Sequence, residues 1–441
     1  MAKEKKPEQV QAPKGTFDIL PQDQKYWDRI LSVARGVAQS YGFERIDTPI
    51  FEHEEVYLRT VGNTTDIIEK QMYWVKSRGK EKLVLRPEGT AGVARAYIDH
   101  GMHQLPQPQK FFYTGPFFRH EQPQAGRYRQ FHQFGLETIG DIDPIYDAEV
   151  ISVLYQTLLK LDLKTLVVEI NSIGCKVCRP RYKSALMKYY KPRVKDMCVD
   201  CKRRIGVNPL RLLDCKEEIC QPHKKGAPHS VDKLCEECKT HFKSVLEYLD
   251  ELSVPYLLNP YLVRGLDYYT KTAFEIFYEE EITQQGTQSR VGQSALGGGG
   301  RYDDLVRALS GPKAPAVGGA LGFERVIGQM KKREVKVPEL WEPDVLVVQI
   351  GPSAKRKALK VFEDLRKAGI KTTHAFGKDS LKSQLTIGNR LNVKIALIIG
   401  QKEIFDESII VREMDSGVQE TIPMDRLLDR LKEKMKIERR N

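Results

Sequence analysis

The sequence predicts an α+β protein, in which an antiparallel sheet flanked by helices carries a Cys-rich insertion and is followed by a small α/β domain. Three observations support this prediction. Short segments with alternating apolar residues recur between residues 43 and 139. All eight cysteines lie between Cys175 and Cys238. From residue 344 onward, strand and helix patterns alternate, as they do in α/β domains.

The 441 residues exceed the length of one ordinary domain, and we expect five segments. The charged tail 1–12 lacks an apolar stretch, so it is expected to be disordered and is not a signal peptide. The large domain is predicted at 13–330, with the Cys-rich, basic insertion at 171–250 inside it. A charged, Pro-containing linker at 331–343 precedes the α/β domain at 344–441.

The net charge of +12 favours a polyanionic partner such as a nucleic acid. The segment from Arg179 to Arg204 holds ten basic and two acidic residues, and the C-terminal helix LLDRLKEKMKIERR is also basic. Ordinary solvated helix faces are the alternative explanation. No apolar run approaches the roughly 18 residues of a membrane span, and the chain outside the insertion has no cysteine. We therefore expect a cytoplasmic protein.

The elements of the large domain follow from local patterns. Apolar residues repeat with the helical period from Asp23 to Tyr41, and Gly42 ends this amphipathic helix. FERIDTPIFE, MYWV and LVLRPEGTA read as strands, and residues 147–161 as a helix. After the insertion, YLLNPYLVRGLDYYT and TAFEIFYEE again have strand character. Strands joined by turns predict a mainly antiparallel sheet.

Residues 111–139 are predicted as two strands joined by a basic loop, and one face of this pair is unusually polar. Leaving such groups buried without a partner would cost roughly 1–3 kcal/mol each. The face therefore predicts a binding site for a polar small molecule, although a structural ladder of ion pairs is an alternative. The period of two places on this face Phe117, Arg119, Glu121, Arg129, Phe131, Gln133, Gly135 and Glu137.

Three further segments carry candidate binding residues. In LRPEGTA, Glu88 and Thr90 follow a strand and could receive an ammonium group. In LVRGLDYY, Arg264 and Tyr269 would lie on opposite faces of a strand, unless the intervening glycine introduces a bulge. In AVGGALGFERV, Arg325 lies in the first turn of a helix, where the helix dipole opposes a cation and an anionic or aromatic ligand would stabilise it. A turn glycine beside a surface charge could explain each segment alone.

The cysteines form four pairs whose spacing is typical of zinc ligands. They could build two tetrahedral sites, or one site plus four free thiols, and the metal would be structural because the protein supplies every ligand. Disulfides or buried free thiols are the alternatives. We favour sites built from Cys175, Cys178, Cys198, Cys201, Cys235 and Cys238, with Cys215 and Cys220 completing a second site if two ions bind.

The C-terminal segment predicts a partly parallel sheet. Its order is DVLVVQI, a helix at 354–368, IKTTHAF, a helix at 381–391, KIALIIG, and a hairpin of SIIVREM and VQETIPM. It contains neither an evident nucleophile nor a Gly-rich phosphate loop. Binding is therefore its expected task.

Several segments, in order, resemble the motifs of one enzyme family. FRHEQPQAGRYRQFHQFGLE resembles motif 2 of the class II aminoacyl-tRNA synthetases, and ALGFERV resembles motif 3. LVRGLDYYTKTAFE and LGGGGRYDDL are similar to the two histidine-specific motifs of histidyl-tRNA synthetases of the bacterial type. The helix at 23–41 and the strand with Pro49 are similar to motif 1, which forms the dimer. The resemblance covers nearly the whole chain.

The resemblance implies a class II catalytic domain, a basic insertion near the tRNA acceptor stem and a C-terminal anticodon-binding domain. It implies that a homodimer activates L-histidine with ATP and Mg²⁺, and then transfers it to the 3′ end of histidine tRNA. It further implies that Arg119 and Arg264 grip the α-phosphate, with Arg264 as the catalytic cation. Arg325 would lie over the adenine and near the γ-phosphate.

The family pattern also implies the histidine contacts. The ammonium would be held by Glu88, Thr90 and Gln133, and the two imidazole nitrogens by Glu137 and Tyr269, with Tyr268 beside them. The backbone of Gly297–Gly300 would approach the substrate closely. In the motif 2 loop, Gln122 stands where many bacterial relatives carry arginine. The remaining candidates for acceptor-stem contacts are Gln124, Arg127 and Arg129.

Two other functions compete with this interpretation. A non-catalytic regulatory paralogue of histidine biosynthesis would lack the C-terminal domain and several of the arginines that bind ATP. A nucleic-acid-binding zinc module would explain the insertion but not the histidine motifs. Because this sequence retains the arginines and the segment 344–441, catalysis is the favoured interpretation.

Overall fold

A computed structural model describes residues 9–61, 67–76, 78–122, 126–279, 295–339 and 341–438. The chain divides into two compact units between Val337 and Pro338. No helix in these ranges is both long and apolar enough to cross a membrane.

The first unit begins with helix α1 (Pro21–Ser40), which buries Trp27, Ile30 and Val37 and ends before Gly42, whose φ is +79°. The elements that follow, up to residue 160, are β1 (Glu44–Arg45), β2 (Phe51–His53), α2 (Glu54–Val61), β3 (Tyr73–Val75), β4 (Leu83–Leu85), α3 (Thr90–Asp99), β5 (Gln109–Phe118), β6 (Gln130–Ile139) and α4 (Ile145–Lys160).

The second half of this unit contains the insertion and returns to the sheet. Its elements are β7 (Leu166–Ser172), α5 (Cys178–Tyr190), α6 (Val199–Val207), α7 (Gln221–Lys225), α8 (Glu236–Glu251), β8 (Tyr256–Leu258), β9 (Thr270–Tyr278), β10 (Gly297–Arg301), α9 (Leu305–Ala308), β11 (Ala316–Gly322) and α10 (Phe323–Lys332). Helix α10 includes the first two residues of the predicted linker.

The main sheet has the order β1-β5-β6-β11-β10-β9-β7-β8. Its six central strands pair antiparallel, as predicted, and only the edge pairs β1–β5 and β7–β8 are parallel. Each face has its own apolar cluster. One cluster contains α1 and α4 residues packed on Phe134 and Phe274. The other contains Tyr113, Phe117 and Tyr302, and the candidate site lies on this second face.

Two sequence-based expectations were wrong. Strands β2, β4 and β3 form a separate three-stranded sheet, and LVLRPEGTA is a strand only over Leu83–Leu85. Thr90 follows this strand, as expected, but it begins helix α3. The predicted strand YLLNPYLVRGLDYYT is a strand only over Tyr256–Leu258 and at Thr270. Residues 259–269 form a loop, which is held by side chains such as Asn171, whose Nδ2 donates to the Leu262 carbonyl at 2.9 Å.

The second unit confirms the α/β prediction. Its elements are β12 (Val345–Gln349), α11 (Pro352–Lys367), β13 (Thr372–His374), α12 (Leu381–Arg390), β14 (Ile395–Ile399), α13 (Gln401–Phe405), β15 (Ser408–Glu413), β16 (Gln419–Pro423) and α14 (Leu427–Glu438). Strand β12 pairs in parallel with β13 and β14, whereas β15 and β16 form the predicted antiparallel hairpin.

Candidate active site

A cavity of about 190 Å³ opens on the second face of the main sheet. Strands β6, β9, β10 and β11 supply its floor, because alternate residues of each strand point to this face. The floor residues are small or polar: Gln133 on β6, Glu275 on β9, Gly297 and Gly298 on β10, and Ala320 and Gly322 on β11. The sheet therefore leaves space for a ligand where a larger side chain would fill it.

Strand register also makes room for a buried carboxyl group beside this cavity. Glu137 on β6 pairs with Gly318 on β11, and Gly135 pairs with Tyr113 on β5. A Cβ atom at Gly318 would overlap the carboxylate of Glu137, and one at Gly135 would overlap the Tyr113 ring. These two glycines thus allow the polar side chains to lie flat on the sheet.

Glu137 is the centre of a buried hydrogen-bond cluster. Its Oε1 accepts hydrogen bonds from Thr90 Oγ1 at 2.7 Å and from the Tyr113 hydroxyl at 3.0 Å, and its Oε2 accepts one from the Tyr302 hydroxyl. Burial raises the pKa of Glu137 to about 8, although the three hydroxyls partly oppose the shift. Burial therefore favours the protonated form of the ligand-free carboxyl group, whereas the three hydroxyl donors favour the ionised form.

Glu88 occupies the start of helix α3, where backbone N–H groups lack helical partners. Its carboxylate accepts hydrogen bonds from the N–H groups of Thr90 at 2.7 Å and Ala91 at 2.9 Å. The Tyr268 hydroxyl lies 3.4 Å away. Burial raises the pKa of Glu88, and the two N–H groups oppose that shift. Glu88 and Glu137 both hydrogen-bond to Thr90, so they belong to one polar cluster.

Four arginines line the cavity, and three of them are the predicted ATP ligands. Arg119 donates from Nε to the Pro87 carbonyl at 2.9 Å and lies over the Phe131 ring. Arg264 forms an ion pair with Glu275 at 2.5 Å. Arg325 donates to the carbonyls of two cavity residues, Gly126 at 3.1 Å and Ala295 at 3.0 Å.

The electrostatics of these arginines favour an anionic ligand. Burial lowers the pKa of both Arg119 and Arg325, and for Arg325 the neighbouring Arg127 and Arg119 lower it further. Burial also opposes the charge of Arg264, but Glu275, Tyr269 and Tyr268 together outweigh it and raise the pKa. Within the described part of the chain, the buried Nε of Arg264 has no hydrogen-bond partner. Phosphate oxygens would satisfy such groups.

The remaining predicted site residues have varied surroundings. Tyr269 is buried, with its ring 5.4 Å from the Arg264 guanidinium and 4.7 Å from the Tyr268 ring. Arg127 lines the cavity and pairs with Glu121 at 3.4 Å. Arg129 donates to the Glu121 carbonyl at 3.3 Å. Gln122 is exposed, and Gln124 lies outside the described residues.

Sequence reasoning missed three residues of this site: Tyr113, Glu275 and Tyr302. Tyr113 could have been found by extending the period of two from Phe117 back along the same strand. Glu275 and Tyr302 lie within the two segments that resemble histidine motifs, at the end of TAFE and after GGGGR. The partner of Tyr302, Glu137, is 165 residues away, so no local pattern reveals that hydrogen bond. Arg264, the partner of Glu275, lies in the same segment.

The eight cysteines form two clusters, and the grouping was left open by the sequence. One contains Cys175, Cys178, Cys235 and Cys238, and the other Cys198, Cys201, Cys215 and Cys220; in each, the four sulfur atoms lie within 4.8 Å of one another. In the first cluster, Sγ of Cys178 is 3.5 Å from that of Cys175 and 3.6 Å from that of Cys238. These separations exclude disulfides, whose sulfurs are about 2.05 Å apart.

Comparisons with known proteins match this architecture. The family model described as Histidyl-tRNA synthetase matches residues 15–176 and 212–326, and the one described as Anticodon binding domain matches 344–434. The histidine–tRNA ligase of Desulforamulus reducens is 44% identical over 417 residues, covering 94% of this chain and 97% of the relative. The crystal structure of apo S. aureus histidyl-tRNA synthetase is 36% identical, with a TM-score of 0.78, and covers 96% of this chain and 99% of its own.

A second relative, the histidine–tRNA ligase of Dehalococcoides mccartyi, is 44% identical over 427 residues, covering 96% of this chain and all of the relative. The first unit has the features of a class II aminoacyl-tRNA synthetase: a mainly antiparallel sheet and an open cavity lined by arginines. Because the matches extend over most of the sequence, the chain belongs to the histidyl-tRNA synthetase family. The gap at 177–211 between the two matched stretches falls within the Cys-rich insertion.

Proposed function

We propose that the protein is a histidine–tRNA ligase, which activates L-histidine with ATP and transfers it to histidine tRNA. The observation that carries this proposal is the buried Glu137 cluster beside the cavity that Arg119, Arg264 and Arg325 line. A carboxyl group suits an imidazole N–H, and converging guanidinium groups suit a triphosphate. Histidine would therefore bind at the Glu137 cluster and ATP in the cavity.

Histidine occupies the polar cluster. Its ammonium group is held by Glu88, Thr90 and Gln133, which provide a carboxylate, a hydroxyl and an amide oxygen. Its imidazole nitrogens hydrogen-bond to Glu137 and Tyr269, with Tyr268 packed beside the ring. The backbone of Gly297–Gly300 lines the approach to the reacting carboxylate, because glycine lets the chain come close.

Activation joins two anions that repel each other. A carboxylate oxygen of histidine attacks the α-phosphorus of ATP, the bond to the β-phosphate oxygen breaks, and pyrophosphate leaves. Arg119 and Arg264 hold the α-phosphate and stabilise the charge that develops there, while Arg325 binds over the adenine and near the γ-phosphate. Mg²⁺ accompanying ATP would neutralise the pyrophosphate.

In the second step, the 3′-hydroxyl of the terminal tRNA ribose attacks the carbonyl carbon of the adenylate, and AMP leaves. Arg127, Arg129 and Gln124 contact the acceptor stem, and the basic insertion lies along it. We assign the enzyme to the cytoplasm as a homodimer. The exposed apolar side chains of Phe51 and Trp74, which are 56% and 59% accessible, support a protein contact near motif 1.

Two assays test this proposal. Purified protein is assayed for ATP–pyrophosphate exchange with each amino acid in turn, and then for charging of histidine tRNA. Exchange that depends on histidine, followed by transfer to the tRNA, is the expected result. The regulatory paralogue would bind histidine without exchange. The retained arginines and the match to an anticodon-binding domain at 344–434 support the ligase instead.

The second compact unit provides a separate test of tRNA recognition. A protein truncated after Val337 should lose most tRNA charging while retaining pyrophosphate exchange, because the candidate active site is built from the first unit alone. We expect kcat/KM for charging to fall by roughly 10²-fold, as loss of an anticodon contact removes several kcal/mol of binding. Unchanged kcat/KM for charging by the soluble truncated protein would reject the anticodon assignment.

We also propose that each Cys cluster binds one structural Zn²⁺. Zinc–sulfur bonds of about 2.3 Å in a tetrahedron place the sulfurs about 3.8 Å apart. The sulfur–sulfur distances in the first cluster, 3.5 to 3.9 Å, fit this geometry, as does the 3.8 Å between Cys198 and Cys215 in the second. The metal would cross-link an insertion that has a small apolar core of its own.

Elemental analysis of protein purified without chelator should therefore find about two zinc ions per chain, one for each Cys₄ site. The parallel measurement is thiol titration of the folded protein, in which bound thiolates react slowly. A zinc content below about 0.2 per chain, together with rapid titration of all eight thiols, would contradict this expectation and leave the cysteines as small buried side chains.

A further inference from the structure

The first Cys cluster, formed by the pairs Cys175–Cys178 and Cys235–Cys238, contacts the loop 259–269 of the first histidine motif. The contact is made by Arg179. Arg179 comes directly after Cys178, and its backbone N–H donates to the Cys175 carbonyl at 2.9 Å. Its guanidinium donates to the carbonyl of Asp267 at 3.4 Å and to the carbonyl of Tyr269. The side chain thus joins the cluster to the loop that carries Arg264 and Tyr269.

The second Cys pair contacts strand β9, directly after this loop. Glu237 lies between Cys235 and Cys238 and pairs with Lys271 at 2.9 Å. The Lys271 side chain is only 5% accessible, and its other acidic neighbour, Asp303, is 3.8 Å away. Glu237 is therefore the nearer counter-charge for a buried ammonium group, and such a group requires one.

A third contact reaches the other histidine-motif segment. Lys176, between Cys175 and Cys178, pairs with Asp304 at 2.7 Å. Backbone pairing also fixes the cluster beside the loop, because Lys271 N–H donates to the Gly174 carbonyl at 3.0 Å and Ile173 N–H donates to the Lys271 carbonyl at 2.8 Å. Both Cys pairs of this cluster thus enclose a charged residue, Lys176 or Glu237, that pairs with a segment of the candidate histidine site.

Loop 259–269 belongs to no helix or strand, so its position depends on individual contacts. These include the Asn171 side chain on the Leu262 carbonyl, the Asp267 N–H on the Val61 carbonyl at 3.2 Å, and the two hydrogen bonds from Arg179. A hydrogen bond from a charged donor is stronger than one between neutral groups, so the contacts of Arg179 favour an ordered loop. The position of Arg179 depends in turn on Cys175 and Cys178, because its backbone follows Cys178 and hydrogen-bonds to Cys175. A metal ion that fixes the four sulfurs would fix the guanidinium as well.

We propose that the Cys175, Cys178, Cys235 and Cys238 cluster is a zinc site that holds the histidine-binding loop in place through Arg179 and Glu237. Arg179 is a positioning residue: it touches the loop backbone and acts on substrate through Tyr269. The inference rests on the proposed function. It makes the metal part of amino-acid recognition, in addition to its support of the insertion.

The test compares full-length variants in ATP–pyrophosphate exchange. Arg179→Gln removes the guanidinium and should raise KM for histidine about tenfold, since the loop loses its charged hydrogen bonds. KM for ATP should rise less than KM for histidine, because Arg264 is the only ATP arginine on this loop, whereas Arg119 and Arg325 lie on other elements. Arg179→Lys should restore part of the histidine affinity. Arg181→Gln, an exposed arginine on the same helix α5, is the matched control and should behave as the parent does.

A second arm tests the metal directly. Cys238→Ser should lower the zinc content by about one ion per chain. The Kd for histidine, measured by calorimetry, should rise by about the same factor as in Arg179→Gln. Retention of zinc, or loss of zinc with the histidine Kd within twofold of the parent, overturns the inference. If Cys238→Ser does not fold, the Arg179 series decides.

The outcomes separate this inference from the proposed function. If the parent exchanges pyrophosphate with histidine and Arg179→Gln has an unchanged KM for histidine, the positioning role is wrong and the ligase assignment stands. Equal rises in KM for histidine and ATP would also overturn it, because they would indicate general damage to the site. No exchange by the parent with any amino acid would reject the proposed function itself.

Discussion

Replacing Arg264 by alanine is expected to lower kcat/KM for histidine-dependent ATP–pyrophosphate exchange by roughly 10²-fold or more, because the developing charge on the α-phosphate loses a preorganised partner. The Arg264 side chain is half-buried at the cavity, and Glu275 holds it in place at 2.5 Å. Its buried Nε is satisfied by no group in the described residues. A phosphate oxygen that approaches this edge would gain a charged hydrogen bond.

The experiment measures steady-state exchange and thermal unfolding on the same preparations. Arg307→Ala is the matched control, because Arg307 is exposed on helix α9 and takes no part in the site. It should retain the parent activity. Removal of Arg264 leaves Glu275 without its partner, so the double variant with Glu275→Gln checks that the loss does not arise from an unpaired carboxylate. Exchange by a folded Arg264→Ala within threefold of the parent would refute the catalytic assignment.

The second large effect concerns the choice of amino acid. We expect the protein to favour histidine over glutamine and phenylalanine by about 10⁴ in kcat/KM, because a site built to hydrogen-bond a substrate leaves its own groups unpaired with an analogue. Glu137 is the main determinant, since its carboxyl group lies among three hydroxyls and is 1% accessible. Phenylalanine fits the space but offers neither an N–H donor nor a nitrogen acceptor.

Exchange rates with the three amino acids at equal enzyme concentration give the ratio directly. Glu137→Gln keeps the volume of the side chain but removes the carboxyl group, so the preference for histidine should decrease while the ATP site is preserved. Comparable exchange by the parent with glutamine or phenylalanine would eliminate the assignment of Glu137 and Tyr269 to the imidazole.

Local periodicity was sufficient for much of the fold. Helix α1, the strand pair β5 and β6, the β11–α10 junction and nearly every element of the second unit lie within a few residues of their predicted bounds. These elements share one property: their apolar residues repeat regularly and their ends carry glycine or proline. Where this signal was absent, as in residues 259–269, the prediction of a strand was wrong, because β-branched and aromatic residues alone do not ensure a strand partner.

The candidate site also has features that the sequence predicts and features that it does not. The sequence by itself determined which residue types were available and, by resemblance, which family roles they could have. Only the tertiary structure decided that Arg119, Arg264 and Arg325 line one cavity, that Tyr302 bonds to Glu137 across 165 positions, and how the eight cysteines divide into two clusters. The physical reason is that periodicity depends on neighbours along the chain, whereas burial and hydrogen-bond partners depend on the order in which strands pair.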